Sequence, residues 1–143
     1  MVNYEHLYPE FIRCDDAEDI NHLLAQLTDN PTPINTERLV EICTNAMTCV
    51  ARDSNGHIVA MGTLSVRDIP TGKVGLLDDV VVDSSMRGRG IGRLIVKDLM
   101  KVAKTRRVSL LELTCRPTRT EANFLYEGLG FKSSPTNRYV IKF

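Results

Sequence analysis

The sequence predicts an α+β domain built on one mixed, mostly antiparallel central sheet with helices on both faces. Three observations predict it. Strand-like runs at 47–52, 58–66 and 74–82 follow one another with only turns between them, which makes an antiparallel meander. A helical period over 90–104 then sits between two strand-like runs, and that step needs a parallel crossover. Finally, 143 residues with 43% apolar and 25% charged content suit a single domain over 1–143 with a core of its own.

The elements follow in order. Residues 10–14 (Glu-Phe-Ile-Arg-Cys) read as a short first strand. Asp15 opens a helix, with Glu18 three residues on as a capping box. Ile20, Leu23, Leu24 and Leu27 form its apolar stripe. Asn30-Pro31-Thr32-Pro33 breaks the chain, and Asn35 or Thr36 caps a second helix with the stripe Leu39, Ile42, Cys43 and Ala46. Asn55-Gly56 between two apolar runs is a hairpin signal. A strand at 109–115 follows the crossover helix. Thr118 with Glu121 opens a last helix that runs to Gly130. In the tail, Tyr139, Ile141 and Phe143 alternate with Arg138, Val140 and Lys142, which predicts a final strand. The predicted order is β-α-α-β-β-β-α-β-α-β.

Composition excludes several functions. Eighteen basic residues balance 18 acidic ones and there is no Trp, which argues against a nucleic-acid coat. The lysines along 97–107 read as a solvated helix face, with no aromatics among them to stack on bases. No apolar run approaches the ~20 residues of a membrane span. Residues 1–6 lack the basic and apolar regions of a signal peptide. Cys14, Cys43, Cys49 and Cys115 form no CxxC pair, and His6, His22 and His57 are scattered. Reduced thiols in a cytoplasmic protein, with no metal site, are expected.

The most informative stretch is Val80-Val81-Val82-Asp83-Ser84-Ser85-Met86-Arg87-Gly88-Arg89-Gly90-Ile91-Gly92-Arg93. A buried strand runs into a glycine-rich turn that opens a long helix. Glycines there permit positive φ and close ligand approach, and successive N–H groups make an anion nest. The helix N-terminus and Arg87, Arg89 and Arg93 add positive charge. A phosphate or pyrophosphate cradle follows. A Walker A loop is excluded, since no Gly-Lys-Ser/Thr is present. A dinucleotide fingerprint fails at Arg93, where its third glycine belongs. A bare strand-to-helix connection would not need three glycines and three arginines.

The segment Arg87-Gly88-Arg89-Gly90-Ile91-Gly92 resembles the [RQ]-x-x-G-x-[GA] motif of the GCN5-related N-acetyltransferases (GNAT). Asn123-Phe124-Leu125-Tyr126-Glu127-Gly128-Leu129-Gly130-Phe131 is similar to that family's N-x-x-Y-x-x-x-G-F segment. The resemblance covers nearly the whole chain. It implies a sheet splayed at the strands before and after the glycine-loop helix, with acetyl-CoA as cosubstrate in the gap. Val80, Val81 and Val82 would then offer backbone groups to the pantetheine and thioester. An N–H aimed at the developing oxyanion is worth about 3 kcal/mol. Arg87, Gly88, Arg89, Gly90, Ile91, Gly92 and Arg93 would hold the pyrophosphate. Asn123 would contact the cofactor, and Tyr126 would face the sulfur as the acid for the departing thiolate.

Asp78 and Asp79 lie inside an otherwise apolar strand, where charge is costly and needs a reason. A bulge at this point would let both reach the cleft. They are the candidates for binding the amine, with Asp79 as candidate proton acceptor. Cys115 ends the second splayed strand with no His beside it in sequence, and reads as a packed thiol rather than a nucleophile. Leu77-Asp78-Asp79-Val80-Val81-Val82 and Leu24-Ala25-Gln26-Leu27-Thr28 resemble segments of the glucosamine-6-phosphate N-acetyltransferases. That resemblance implies the sugar phosphate as acceptor, with Arg116 or Arg119 available to its phosphate. Asp78 in place of Glu and the long 115–123 stretch depart from it. A protein, polyamine or other small amine stays open as acceptor, as does a non-catalytic acyl-CoA-binding module. The apolar final strand predicts pairing with a second copy in a homodimer.

Overall fold

The computed structural model describes all 143 residues. Its elements are β1 (Asn3–His6), α1 (Asp16–Leu27), α2 (Thr36–Asn45), β2 (Met47–Arg52), β3 (Ile58–Ile69), β4 (Gly72–Val82), α3 (Ile91–Thr105), β5 (Leu110–Glu112) and α4 (Thr120–Gly128). The five strands lie side by side in chain order. Strands β1 to β4 pair antiparallel, and β5 joins β4 parallel after the α3 crossover. The α+β expectation holds. No helix is long and apolar enough to cross a membrane.

Alternation along the strands divides the core into two layers. Cys49, Ala51, Ala60, Leu64 and Leu77 face α3 and Tyr126 of α4. Val50, Met61 and Val81 face Ala17, Ile20 and Leu23 of α1 and Leu39 and Cys43 of α2. Helices therefore cover both faces. Asn35 Oδ1 accepts the Arg38 N–H at 2.8 Å and caps α2, as expected.

Several elements differ from the sequence expectation. The first strand is Asn3–His6, not 10–14; Pro9 opens a 3₁₀ turn over Pro9–Phe11 and has no N–H to give a ladder. Being a polar edge strand, β1 carries little apolar alternation to reveal it. The Asp15–Glu18 capping box does not form, and the Asp15 side chain caps nothing. Asp16 turns back instead to accept the Arg13 N–H at 2.8 Å. The strand expected at 109–115 is paired only over Leu110–Glu112. Helix α4 starts at Thr120 without a side-chain cap, so the Thr118–Glu121 box is absent too. The final strand is not formed: residues 131–143 carry no strand pairing, and 132–143 are exposed. Three residues of β5 offer too little edge to template another strand, and Pro135 interrupts the approach.

One buried ion pair ties the N-terminal half together. Arg52 Nη1 and Nη2 reach Asp16 Oδ1 and Oδ2 at 2.7 and 3.0 Å, a bidentate pair. Arg52 also donates to Glu5 Oε1 at 2.5 Å and to the Gly56 carbonyl at 3.0 Å. The Asp16 and Arg52 side chains are 0% and 3% exposed. Burial alone would raise the Asp16 pKa, but the Arg52 hydrogen bonds, the Arg13 N–H and both positive charges outweigh it and leave it lowered.

Candidate active site

Strand β4 runs on to Val82, but its pairing with β5 stops at Leu76↔Glu112. Beyond Leu76 the two parallel strands part, and the β5 side of Leu77 to Val82 has no strand neighbour. The expected splay is present. Val80 O accepts from Arg119 Nη2 at 3.4 Å, and Val82 O accepts from Arg87 Nε at 3.0 Å. Two arginines thus occupy carbonyls that a neighbouring strand would otherwise bond.

The bulge lies in the same stretch. Met61 pairs with Val81 and Thr63 with Asp78, so one residue of β3 opposes two of β4. Asp79 takes φ 50°, a left-handed conformation costing about 1–3 kcal/mol in a non-glycine residue. The extra residue flips the strand: Leu77 faces α3, whereas Val81 faces α1. Gly62 sits opposite, where a Cβ would meet Ile95, Leu99 and Val80 at 3.0 to 3.3 Å.

Asp79 lines a cavity of about 220 Å³ with Ile20, Leu24, Ile34, Arg38 and Leu39 among its walls. Asp79 is itself exposed, with protein packed around the cavity side of its carboxylate. That packing, with the Asp78 charge beside it, raises the Asp79 pKa above the ordinary carboxylate value. Asp78 is exposed, and its carbonyl accepts from Thr63 Oγ1 at 3.1 Å.

The glycine-rich turn follows β4. Gly88 and Gly90 both take φ 76°, and a Cβ on either would meet nothing within 4 Å. The space above them is open to a ligand. Gly90 N-caps α3 from the left-handed region. Gly92 instead packs, its Cβ position lying 3.3 Å from Val82 and 3.5 Å from Leu125. Arg87, Arg89 and Arg93 are exposed around the turn, while Ile91 is buried in the core. A groove of about 360 Å³ continues from Arg93 past Lys97 and Lys101 to Lys104.

Asp83 holds the turn, a role the sequence did not reveal. Its Oδ1 accepts from Gln26 Nε2 at 2.7 Å and lies 3.1 Å from His22 Nε2, both on α1. Ser84 N–H returns a bond to Gln26 Oε1 at 2.8 Å. Hydrogen bonds from Ser85 and Gln26 lower the Asp83 pKa to about 2. Helix α1 thereby sets where the nest begins.

The Tyr126 ring is buried against Phe131, with centroids 5.9 Å apart. Its hydroxyl makes no hydrogen bond within the chain, and no buried side-chain polar atom is left without a partner. The hydroxyl is therefore not sealed off. Burial raises its pKa, opposed by Arg119 and aided by Cys115. Tyr126, Arg119 and Cys115 share one neighbourhood, and Arg119 connects it to Val80. Both Asn123 amide hydrogens are engaged, on the Arg116 and Arg119 carbonyls at 3.0 and 2.9 Å. Asn123 shapes the loop that presents Arg119, leaving only its Oδ1 free for a ligand. Cys115 Sγ has only the Arg116 carbonyl as a partner, at 3.7 Å, and no base.

Residues 8–131 match the Acetyltransferase (GNAT) family. The chain belongs to the GNAT family. The GNAT chain is 32% identical over 98 residues to glucosamine 6-phosphate N-acetyltransferase 1 of Oryza sativa subsp. japonica, covering 66% of this chain and 59% of the relative. It is 36% identical over 62 residues to the [ribosomal protein bS18]-alanine N-acetyltransferase of Salmonella typhimurium, covering 43% and 42%. The crystal structure of glucosamine-6-phosphate N-acetyltransferase from Arabidopsis thaliana superposes with a TM-score of 0.78 at 26% identity, covering 99% of this chain and 98% of that one. The matched part of this GNAT chain thus spans about three fifths or less of the two curated relatives' lengths.

Proposed function

We propose that this protein is an N-acetyltransferase that moves the acetyl group of acetyl-CoA to a primary amine by direct attack in a ternary complex. The observation that carries the reading is the parting of β4 from β5, with the open glycine nest after β4 and the unpartnered Tyr126 hydroxyl beside Arg119. The residues fit the cofactor. The nest of Arg87, Gly88, Arg89, Gly90, Ile91, Gly92 and Arg93 takes the pyrophosphate, and the basic groove along α3 suits the other phosphate. Val80, Val81 and Val82 offer backbone to the pantetheine arm, for which Arg119 must release Val80 O.

Acetyl-CoA, when bound, supplies the acetyl group as an activated thioester. Asp78 and Asp79 attract the ammonium form of the acceptor, and Asp79, directly or through water, takes its proton. A raised pKa makes Asp79 a better base near neutrality than an ordinary carboxylate. Tyr126, protonated at neutral pH, gives its proton to the leaving sulfur as the carbon–sulfur bond breaks.

Glucosamine 6-phosphate is the first acceptor to test. The rice and Arabidopsis relatives carry that name. Arg38 and Asp79, the two charged residues lining the α1–α2 cavity, suit an acceptor with an anionic group and an amine. The largely apolar remainder of that cavity favours a second reading, an alanyl amine of the kind the Salmonella relative's name gives. CoA release with glucosamine 6-phosphate, an alanyl peptide and a polyamine separates them by kcat/KM. The sugar phosphate is expected to lead, and Asp79→Asn is expected to lower kcat/KM for it by about 10²-fold or more. A leading alanyl peptide selects the second reading, and an unchanged Asp79→Asn removes the proton-acceptor role.

The proposed assembly is a homodimer. Tyr139, Val140, Ile141 and Phe143 are large, apolar and exposed, and a second copy is the partner that would cover them. Light scattering at micromolar concentration is expected to give twice the chain mass, and a monomer mass contradicts it.

A further inference from the structure

Outside the candidate active site, His6, Cys49 and Asp98 come together inside the fold from three different elements, β1, β2 and α3. His6 and Cys49 are direct partners in the antiparallel β1–β2 ladder, so their side chains leave the sheet on one face. Helix α3 covers that face, since Cys49 packs in one cluster with Ile95 and Leu99. Asp98 descends from the same helix, and its Oδ2 meets His6 Nε2. A ring nitrogen, the thiol sulfur and a carboxylate oxygen lie within 4.8 Å of one another. Ligand atoms around a tetrahedral zinc ion sit about 3.3–3.8 Å apart, so the three must shift by about 1 Å to close on one ion, His6 and Asp98 moving apart.

We propose that His6, Cys49 and Asp98 bind one thiophilic divalent cation of the zinc class, with water as the fourth ligand. The donor set of imidazole nitrogen, thiolate and carboxylate is the kind such an ion takes. Binding exchanges the thiol proton for the metal: the Cys49 S–H bond breaks, the sulfur–metal bond forms and the proton leaves to solvent. His6 breaks its hydrogen bond to Asp98 Oδ2, passes the Nε2 proton through solvent to Nδ1 and gives the freed Nε2 lone pair to the metal. One dication, one thiolate and one carboxylate then sum to zero charge, which a half-buried site tolerates. Cys49 is 1% exposed, whereas the side chains of His6 and Asp98 are 25% and 40% exposed, so water and ion have a way in. The ion would clip the edge strand β1 to α3, the helix whose first turn carries the nest.

A second cluster, Asp15, Asp19 and His57, is more exposed. Its contacts already have a structural role. Asp19 accepts the Ile58 N–H at 2.9 Å and holds His57 Nδ1 at 3.1 Å, fastening α1 to the β2–β3 hairpin. It serves as the internal control.

The test is titration of the chelator-treated, reduced full chain with Co²⁺, followed by absorption. One equivalent is expected to bind, with a thiolate-to-cobalt charge-transfer band. Cys49→Ser should abolish the band. Loss of even an outer partner costs about 10- to 100-fold in metal affinity, so His6→Gln and Asp98→Asn should each weaken binding at least that much. His57→Gln should change nothing. Asp98 and His6 are partly exposed, so those variants report on binding even if Cys49→Ser folds poorly. Absence of the band in the wild-type chain, its persistence in Cys49→Ser, or its loss in His57→Gln alone overturns the site.

Discussion

Tyr126→Phe is expected to lower kcat by about 10²- to 10⁴-fold, with little change in the KM for acetyl-CoA. The ring keeps its packing against Phe131, and the deleted hydroxyl makes no hydrogen bond within the chain. Stability is therefore expected to stay near wild type, which thermal unfolding checks alongside the steady-state rates. The loss is expected on kcat because the proposed proton transfer is needed only as the thiolate departs. A pH profile adds a separate reading. Burial raises the Tyr126 pKa, so the hydroxyl keeps its proton further into alkali than a free tyrosine. A Tyr126→Phe enzyme as fast as wild type would remove Tyr126 from the acid role.

The largest stability effect is expected at the buried Arg52–Asp16 pair. Asp16→Ala leaves the Arg52 guanidinium, 3% exposed, with Glu5 as its only acidic partner beside the Gly56 carbonyl. Breaking a buried pair from one side costs about 3–5 kcal/mol. In a domain of this size that lowers Tm on the order of 10 °C. Replacing both charges together, as in Asp16→Leu with Arg52→Met, should recover much of the loss, because only the partly exposed Glu5 then loses a partner and no fully buried charge is stranded. A single-variant cost below about 1 kcal/mol would contradict the burial reading. The same carboxylate contributes to acid sensitivity. Its folded pKa is lowered, so its stabilisation is present above the ordinary 3.8 and is lost as pH falls through the folded value. Asp83 behaves likewise, with its contribution lost as pH falls through about 2.

Local chemistry was legible in the sequence, and long-range placement was not. The nest announced itself because three glycines and three arginines lie within seven residues. The bulge was readable from two adjacent acids in an apolar strand, and Asp79 sits in it with a left-handed backbone. The parallel crossover followed from a change of period alone. Strand β1 escaped because Asn-Tyr-Glu-His has too few apolar residues to show alternation. The tail misled for the opposite reason: its alternation is clear, but β5 supplies no edge long enough to use it. Asp83, Gln26 and Arg119 gained roles from contacts 39 to 58 residues away in sequence. His6 and Asp98 are separated by 92 positions, so no ligand spacing could reveal that cluster.

The parted strands and the nest are proposed to serve acetyl transfer to an amine. Steady-state release of CoA from acetyl-CoA, measured with and without an amine panel and paired with product mass, tests it most directly. The predicted result is amine-dependent release with one N-acetylated product per CoA and no acetyl group left on the protein. No release above background with any amine would contradict it and favour an acyl-CoA-binding module.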